Sequence, residues 1–218
     1  MLDYSLIKQI YNVDALFGCS EEEIDQLKQI YGAIPRVFED FLRTLGNTQK
    51  LQQGQDTWLF PAYYQKYSWM RREEYAEYLI LMNENQGVYQ LVLKREDLEK
   101  ENPPMYVLDG AEILGICADT LSEFLMGMLL YQAVFTMEYS PEDFFWYTDE
   151  EVECIRASMQ KLSYEIKNWY SDTIEFYTNA EGNLLYLMCE EYQSTYGATT
   201  KEAYEKLLTV VGDMGEGV

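Results

Sequence analysis

The chain has 218 residues, 48% of them hydrophobic, and carries a formal net charge of −22 at pH 7 with no histidine. A chain of this length and apolar content can bury a sizeable core, which argues against intrinsic disorder. The charge excludes a nucleic-acid phosphate backbone as the expected partner, since such surfaces are recognised through clustered lysine and arginine. An acidic chain favours basic partners, although excess carboxylates can also serve only to keep a globular protein in solution.

The acidic charge is denser toward the C-terminus. Residues 139–218 hold 16 acidic and 5 basic residues, a net charge of −11, whereas the 138 residues before them hold 22 acidic and 11 basic residues, also −11. The same excess of carboxylates is therefore carried by a much shorter segment.

The four cysteines, at positions 19, 117, 154 and 189, show no C-x-x-C or other close spacing. Three of them lie in apolar, periodic surroundings, where a thiol behaves as a small hydrophobe, so free and reduced cysteines are predicted. The N-terminus lacks a basic stretch followed by an apolar one, and the longest nearly apolar run, residues 124–135, is too short to cross a bilayer. We therefore expect a cytoplasmic protein that does not associate with membranes.

Three helices are predicted before residue 50. Apolar residues at helical spacing predict the first helix over residues 2–17. Ser20 and Glu23 form a capping box, in which each side chain satisfies a backbone donor of the other residue, so a second helix starts after Ser20 and ends at Gly32. Pro35 suits the first turn of a third helix, because its missing N–H would have no intrahelical partner there.

Four strands and a helix are predicted next. Two β-rich runs, residues 78–82 and 87–93, flank the turn-forming sequence NENQG and indicate a hairpin. Two further runs, residues 105–108 and 112–117, are separated by an Asp-Gly turn and extend the antiparallel sheet. A second capping box, beginning at Thr120, starts a helix that we expect to pack on this sheet.

The C-terminal part repeats the hairpin-then-helix order. A third capping box, Thr148 with Glu151, predicts a helix that continues to about residue 162. Residues 173–177 and 184–189 flank the turn sequence NAEGN and predict a second hairpin. A final helix, capped by one of the threonines at 199 and 200, is expected to run to about residue 210 and to be followed by a frayed tail. The whole pattern predicts an α+β fold with helices packed against an antiparallel sheet.

No motif for catalysis is present. The chain has no histidine, no Gly-rich phosphate loop, no G-x-S-x-G and no H-E-x-x-H. Carboxylate clusters at residues 21–23, 73–74, 149–151 and 190–191 have the chemistry of a metal site or a glycosidase pair. The first and third, however, lie in first helical turns, where the macrodipole favours acids. We predict no enzyme, no cofactor and no metal; a hydrolase using a carboxylate pair is the minor alternative.

An aromatic tract ahead of the strands is the predicted partner-binding surface. It has no clean helix or strand period, and tyrosine and tryptophan are enriched at interface hot spots because they give large contact area at low entropic cost. Core packing is the alternative for each ring. The predicted residues are Trp58, Tyr63, Tyr64, Tyr67 and Trp69, with the acidic pair Glu73 and Glu74.

The stretch SEEEIDQLKQIYGAIPRVFEDFLRTLGN, residues 20–47, resembles the opening signature of the SUKH superfamily: an acidic helix, G-x-x-P, and an F-x-x-F-L helix ending near glycine. Residues 78–131 are similar to the family core in order, with the hairpin LILMNENQGVYQLVL, the segment NPPMYVL and the closing helix ADTLSEFLMGML. Two departures are Ile-Pro at 34–35, where Leu-Pro is usual, and Leu-Gly-Asn at 45–47, where an Asn-Gly pair is frequent.

The resemblance implies a SUKH-like domain over residues 1–138 with an extra N-terminal helix. It leaves residues 139–218 as an acidic C-terminal α+β extension, which could pack on the same sheet, be a diverged second copy, or be a separate small domain. Bacterial SUKH members commonly act as immunity proteins that bind and neutralise a cognate secreted polymorphic toxin, often a nuclease. A fungal branch of similar fold works in regulation, and neither branch is known as an enzyme class.

We therefore expect a non-enzymatic module that binds a basic toxin domain and covers its active site, with no nucleic-acid partner. The alternative is a housekeeping regulatory or scaffold protein that binds an endogenous partner through the same face.

Overall fold

A computed structural model of the chain describes residues 2–52, 57–58, 73–84 and 86–217. Helices and two antiparallel sheets make up these residues, so the predicted α+β class is confirmed. The helices are α1 (Tyr4–Tyr11), α2 (Glu21–Tyr31), α3 (Arg36–Leu45), α4 (Leu121–Val134), α5 (Asp149–Ser158) and α6 (Lys201–Val211). None of the helices in these ranges is long and apolar enough to cross a membrane.

The first sheet has the strand order β1-β2-β3-β4-β5, with every neighbouring pair antiparallel. Its strands are β1 (Thr57–Trp58), β2 (Tyr78–Asn83), β3 (Gln90–Lys94), β4 (Met105–Asp109) and β5 (Glu112–Ala118). The four predicted strands correspond to β2–β5. The hairpin between β2 and β3 closes through the buried Glu84, whose carboxylate accepts hydrogen bonds from Gln86 N (2.9 Å) and Val88 N (3.2 Å).

The strands after residue 139 form a sheet of their own, with the order β11-β6-β10-β9-β8-β7 and antiparallel pairing throughout. They are β6 (Phe145–Trp146), β7 (Gln160–Lys167), β8 (Thr173–Thr178), β9 (Asn183–Met188), β10 (Gln193–Ala198) and β11 (Glu216–Gly217). The predicted hairpin corresponds to β8 and β9, and the remaining four strands are additions that the sequence did not predict.

The chain divides into two compact units, Met1–Leu2 with Ala15–Leu125, and Asp3–Asp14 with Met126–Val218. Helix α4 therefore contributes its first five residues to the first unit and the rest to the second. Helix α1, although first in the chain, belongs to the second unit, where the buried Tyr11 hydroxyl donates to Leu129 O at 2.7 Å.

The first unit contains the α2–α3 pair, which forms as its capping signals predict. Ser20 and Glu23 make both hydrogen bonds of the capping box, and Gly32 ends α2 at φ +84°. Lys28 Nζ lies 2.8 Å from Glu39 Oε1, and Arg43 binds the same carboxylate at 2.7 Å. The Lys28–Glu39 pair therefore joins α2 to α3, and Arg43 binds Glu39 within α3.

One hydrophobic cluster of the second unit lies between its sheet and helices α5 and α6. Residues of β8, β9 and β10 that point to this side are fully buried together with one face of each helix. The cluster comprises Tyr147, Val152, Ile155, Met159, Tyr177, Leu185, Leu187, Tyr196, Leu207 and Val211.

Three local predictions in the second unit are wrong. Helix α1 spans Tyr4–Tyr11 rather than residues 2–17, and it ends where Asn12 adopts a left-handed conformation. Helix α5 ends at Ser158 rather than near residue 162, because the chain from Gln160 pairs with β8 opposite Thr178. The tail is not wholly frayed, since Glu216–Gly217 pairs with β6. The last two differences come from strand pairing between distant segments, which local periodicity does not report.

Candidate functional site

Most of the predicted aromatic tract, namely Tyr63, Tyr64, Tyr67 and Trp69, lies outside the described residues. Trp58 belongs to β1, where its Cα pairs with that of Met82. Glu73 and Glu74 are exposed in a short 3-10 turn, Glu73–Tyr75. The binding role of these seven residues stays a prediction.

A second acidic and aromatic surface is described in the second unit, around Trp146. This side chain is 38% exposed, whereas the preceding residue, Phe145, packs its ring 5.3 Å from that of Tyr196. Because successive residues of a strand point to opposite faces, β6 anchors one aromatic ring in the core and presents the other to solvent.

Three chain segments meet β6 at this edge. The Cα of Trp146 pairs with Gln193 of β10 on one side and with Glu216 of β11 on the other. Tyr147 N donates to Tyr192 O at 3.2 Å, which brings the turn between β9 and β10 to the start of α5. Gly215 N donates to Glu151 Oε1 at 3.0 Å.

Eight exposed carboxylates lie on these segments. None of them makes an ion pair with a lysine or arginine in the part of the chain that the structure describes. Together with Trp146 they define the acidic Trp146 face. The carboxylates are Glu142, Asp143, Asp149, Glu150, Glu190, Glu191, Asp213 and Glu216.

The basic residues of the same part of the chain are occupied elsewhere. Each lysine and arginine after residue 139 pairs with a glutamate outside the acidic Trp146 face. The pairs are Arg156 with Glu153 (3.1 Å), Lys161 with Glu175 (2.5 Å), Lys167 with Glu165 (3.7 Å), Lys201 with Glu205 (3.6 Å) and Lys206 with Glu202 (3.0 Å). The face therefore keeps its negative charge, and an exposed indole beside it can take a cation over its ring.

Glu175 in the second unit has a strongly lowered pKa, and its surroundings fit a structural ion pair. Its side chain is only 13% exposed, and partial burial alone acts to raise its pKa. Hydrogen bonds from Lys161 and Tyr177, with the charge of Lys161, outweigh burial and lower the pKa of Glu175 to about 2. A carboxylate held ionised in this way is poorly suited to general acid catalysis near neutral pH.

The cysteine beside this cluster is not an activated nucleophile. Partial burial, followed by the charge of Glu175, raises the pKa of Cys189 to about 11. Burial likewise raises the pKa of Cys19 to about 12. All four cysteines are free thiols, as the sequence predicts. Because the thiolate is the reactive form, these environments disfavour nucleophilic chemistry at both sites.

A polar cleft of about 370 Å³ lies elsewhere in the second unit, lined by the end of α1, the turn between β8 and β9 and the start of α6. Beneath that turn the fully buried Asn183 accepts from Asn179 N (3.0 Å) and Ala180 N (3.3 Å). Within the described ranges no three cysteine, aspartate or glutamate side chains form a group able to hold a metal ion.

Sequence reasoning missed Trp146 as a candidate, although two signals pointed toward it. The first is the denser acidic charge after residue 139, and the second is the aromatic run FFWY directly before the acidic run TDEE. What the sequence could not show is that residues near 146, 190 and 216 are neighbours.

A comparison of this chain with models of protein families, with curated proteins and with solved structures found no match.

Proposed function

We propose that this protein is a non-enzymatic binding module that captures a basic protein domain on the acidic Trp146 face. In biological terms it acts as an immunity protein, which neutralises a cognate secreted toxin by covering its active site. The observation that carries the proposal is that eight exposed carboxylates and the exposed Trp146 lie on chain segments that meet at β6, with no basic partner in the described residues.

Electrostatics support capture of a basic partner. A surface of one sign steers an oppositely charged protein into encounter and raises the association rate, and added salt screens this effect. Tryptophan is among the residues most enriched at binding hot spots, where a large ring is desolvated on complex formation. The resemblance of residues 20–138 to SUKH proteins points in the same direction.

The test starts with the gene adjacent to the one that encodes this chain. If that gene encodes a large secreted protein with a small basic C-terminal domain, the domain is expressed and its association with this protein is measured by stopped-flow fluorescence at about 50 and 300 mM salt. We expect the association rate to fall steeply with salt. A rate that does not change with salt contradicts capture by charge.

Matched charge reversals locate the surface. The double variant Glu190→Lys with Glu191→Lys removes two carboxylates of the acidic Trp146 face. The control, Glu99→Lys with Glu101→Lys, changes the net charge equally at two exposed positions of the first unit. We expect the first variant to slow association about tenfold or more and the control to change it about twofold. Equal effects would place binding elsewhere.

The alternative function is a housekeeping regulator or scaffold that binds an endogenous protein through the same face. Unrelated metabolic genes on both sides, and a growth defect on deletion without any toxin present, would favour this alternative.

A further inference from the structure

The last strand of the second sheet is held by few contacts. We call residues 213–217, which contain β11, the β11 strap. The strap comes directly after α6, and Met214 N donates to Val211 O at the end of that helix (3.1 Å). Its strand pairs with β6 over only two residues. Short edge pairings of this kind belong to the low-stability end of a structure, because few hydrogen bonds and contacts are lost when they open.

One carboxylate both caps helix α5 and anchors the β11 strap. Glu151 Oε2 accepts from the backbone N of Thr148 at 2.8 Å, which completes the capping box. Its other oxygen, Oε1, accepts from Gly215 N at 3.0 Å. Both backbone hydrogen bonds lower the pKa of Glu151, and the bond from Thr148 N contributes more than the bond from Gly215 N.

The strap also depends on a glycine at its bend. Gly215 has φ +78°, and a Cβ at this position would lie 2.7 Å from Cε1 of Tyr147. Tyr147 is only 5% exposed, and its ring belongs to the core cluster of the second unit. Any side chain at position 215 would therefore clash with the Tyr147 ring unless the strap moved.

Docking of the strap brings like charges together. It places Glu216 opposite Trp146 and sets Gly217 beside Asp143, whose Oδ2 lies 3.8 Å from the Cβ position of residue 217. The first turn of α5 adds Asp149 and Glu150 next to the anchoring Glu151. Repulsion among these carboxylates opposes docking, and a cation placed between them removes that repulsion.

We propose that docking of the β11 strap and capture of a cationic partner on the acidic Trp146 face are thermodynamically coupled. The partner's basic groups bridge Glu216 of the strap and the carboxylates beside β6, so bound partner tightens the strap and a loosened strap weakens binding by the same factor. This inference rests on the proposed function. It assigns Glu151 and Gly215 a positioning role in recognition, without contact to the partner.

The free protein provides the first test. Hydrogen–deuterium exchange of a peptide containing residues 213–217 is measured at about 20 and 300 mM NaCl. Because salt screens the repulsion among the carboxylates, we expect exchange of the strap to slow as salt rises. Exchange that is unchanged or faster at high salt contradicts the proposed repulsion and overturns the inference.

Two variants loosen the strap by different routes. Glutamine is also found at this position of capping boxes, so Glu151→Gln can keep the hydrogen bond from Thr148 N. Its side chain has one acceptor oxygen and not two, so the hydrogen bond from Gly215 N is lost. Gly215→Ala moves the strap by steric clash and leaves the charge unchanged. The control for charge is Glu150→Gln, which neutralises a neighbouring exposed carboxylate that makes no bond to the strap.

Binding of a synthetic octalysine peptide, measured by titration calorimetry at low salt, completes the test. We expect octalysine to slow exchange of the strap in the wild type, and Gly215→Ala and Glu151→Gln to bind it about fivefold more weakly than Glu150→Gln does. Equal affinities of all four proteins, with unchanged strap exchange, overturn the coupling and leave the proposed function standing. Absence of octalysine binding to the wild type overturns both.

Discussion

The two units share a plan and differ at their sheet edges. Each contains four consecutive antiparallel strands, β2–β5 in the first and β7–β10 in the second, and a helix follows them. In both helices a threonine hydroxyl accepts a hydrogen bond from a backbone N–H of the first turn, Thr120 for α4 and Thr200 for α6. The first sheet ends at β5, a seven-residue strand on which Leu114 is 51% and Ile116 is 39% exposed. The second continues past β10 into two very short strands with acidic surroundings.

Topology and surface chemistry are therefore set separately in this chain. The strands in the middle of both sheets are buried and apolar, because both meanders must form a core. At the edges that requirement ends, and the residues present are free to serve recognition. The proposed binding role therefore rests on the acidic Trp146 face, which the first unit does not share.

The largest expected effect contrasts a core position with an edge position. Leu187→Ala removes a fully buried side chain from the core of the second unit, and we expect a loss of about 3 kcal/mol in the free energy of unfolding. Leu114→Ala on β5 should change it by less than about 0.5 kcal/mol, because the side chain is mostly exposed. Urea unfolding of both variants measures the contrast. A large loss of unfolding free energy for Leu114→Ala would show that this side chain is buried against another part of the protein.

The ion pair at Glu175 should matter in the second unit more than the exposed pair beside it. We expect Glu175→Gln to cost about 1–3 kcal/mol at pH 7, because Lys161 and Tyr177 lose a charged acceptor in a half-buried site. The control is Glu153→Gln, which breaks an exposed pair with Arg156 and should cost about 0.5 kcal/mol or less. Equal costs would contradict the difference in burial.

The stabilisation contributed by Glu175 should depend on pH. The pKa of Glu175 is lowered to about 2 in the folded protein, whereas an unfolded glutamate titrates near about 4.3. Its stabilisation is therefore fully present above about pH 4.3 and is lost as pH falls toward 2. Urea unfolding at a series of pH values should show the difference between wild type and Glu175→Gln shrinking over that window. A constant difference would rule out this linkage.

Helix caps should cost the same in both units. Ser20→Ala in the first unit and Thr148→Ala in the second each remove the hydroxyl of a complete capping box, and we expect losses of about 1 kcal/mol for each. Thermal unfolding of the two variants tests this equality. A loss for Thr148→Ala that exceeds that of Ser20→Ala by more than about 1 kcal/mol would contradict it.

The smallest effect on stability is expected on the acidic Trp146 face itself. The double variant Glu190→Lys with Glu191→Lys should leave the free energy of unfolding within about 0.5 kcal/mol of wild type, or raise it slightly, since it relieves like-charge repulsion at exposed positions. The measurement is urea unfolding at low salt. A large destabilisation would mean that these residues are structural.

Much of the fold follows from local patterns. Two of the three predicted capping boxes form completely, Ser20 with Glu23 and Thr148 with Glu151, and at the third the Thr120 hydroxyl accepts from Glu123 N. The hairpin turn NAEGN forms with Gly182 at φ +78°. Strand β10 was not predicted because its sequence, QSTYGA, carries little apolar signal, although Ser194 and Thr195 are buried.

Local signals in the sequence were enough for the α+β class, most helix starts and the central hairpins, because caps, turns and hydrophobic periods act over a few residues and need no distant partner. The excess of acidic charge is likewise a property of the sequence alone. That the strands after residue 139 form a second sheet, and that Trp146 lies between Gln193 and Glu216, follows only from the tertiary structure. Pairings between segments far apart in the chain depend on which edges and faces remain available after the core has packed, and no local pattern carries that information.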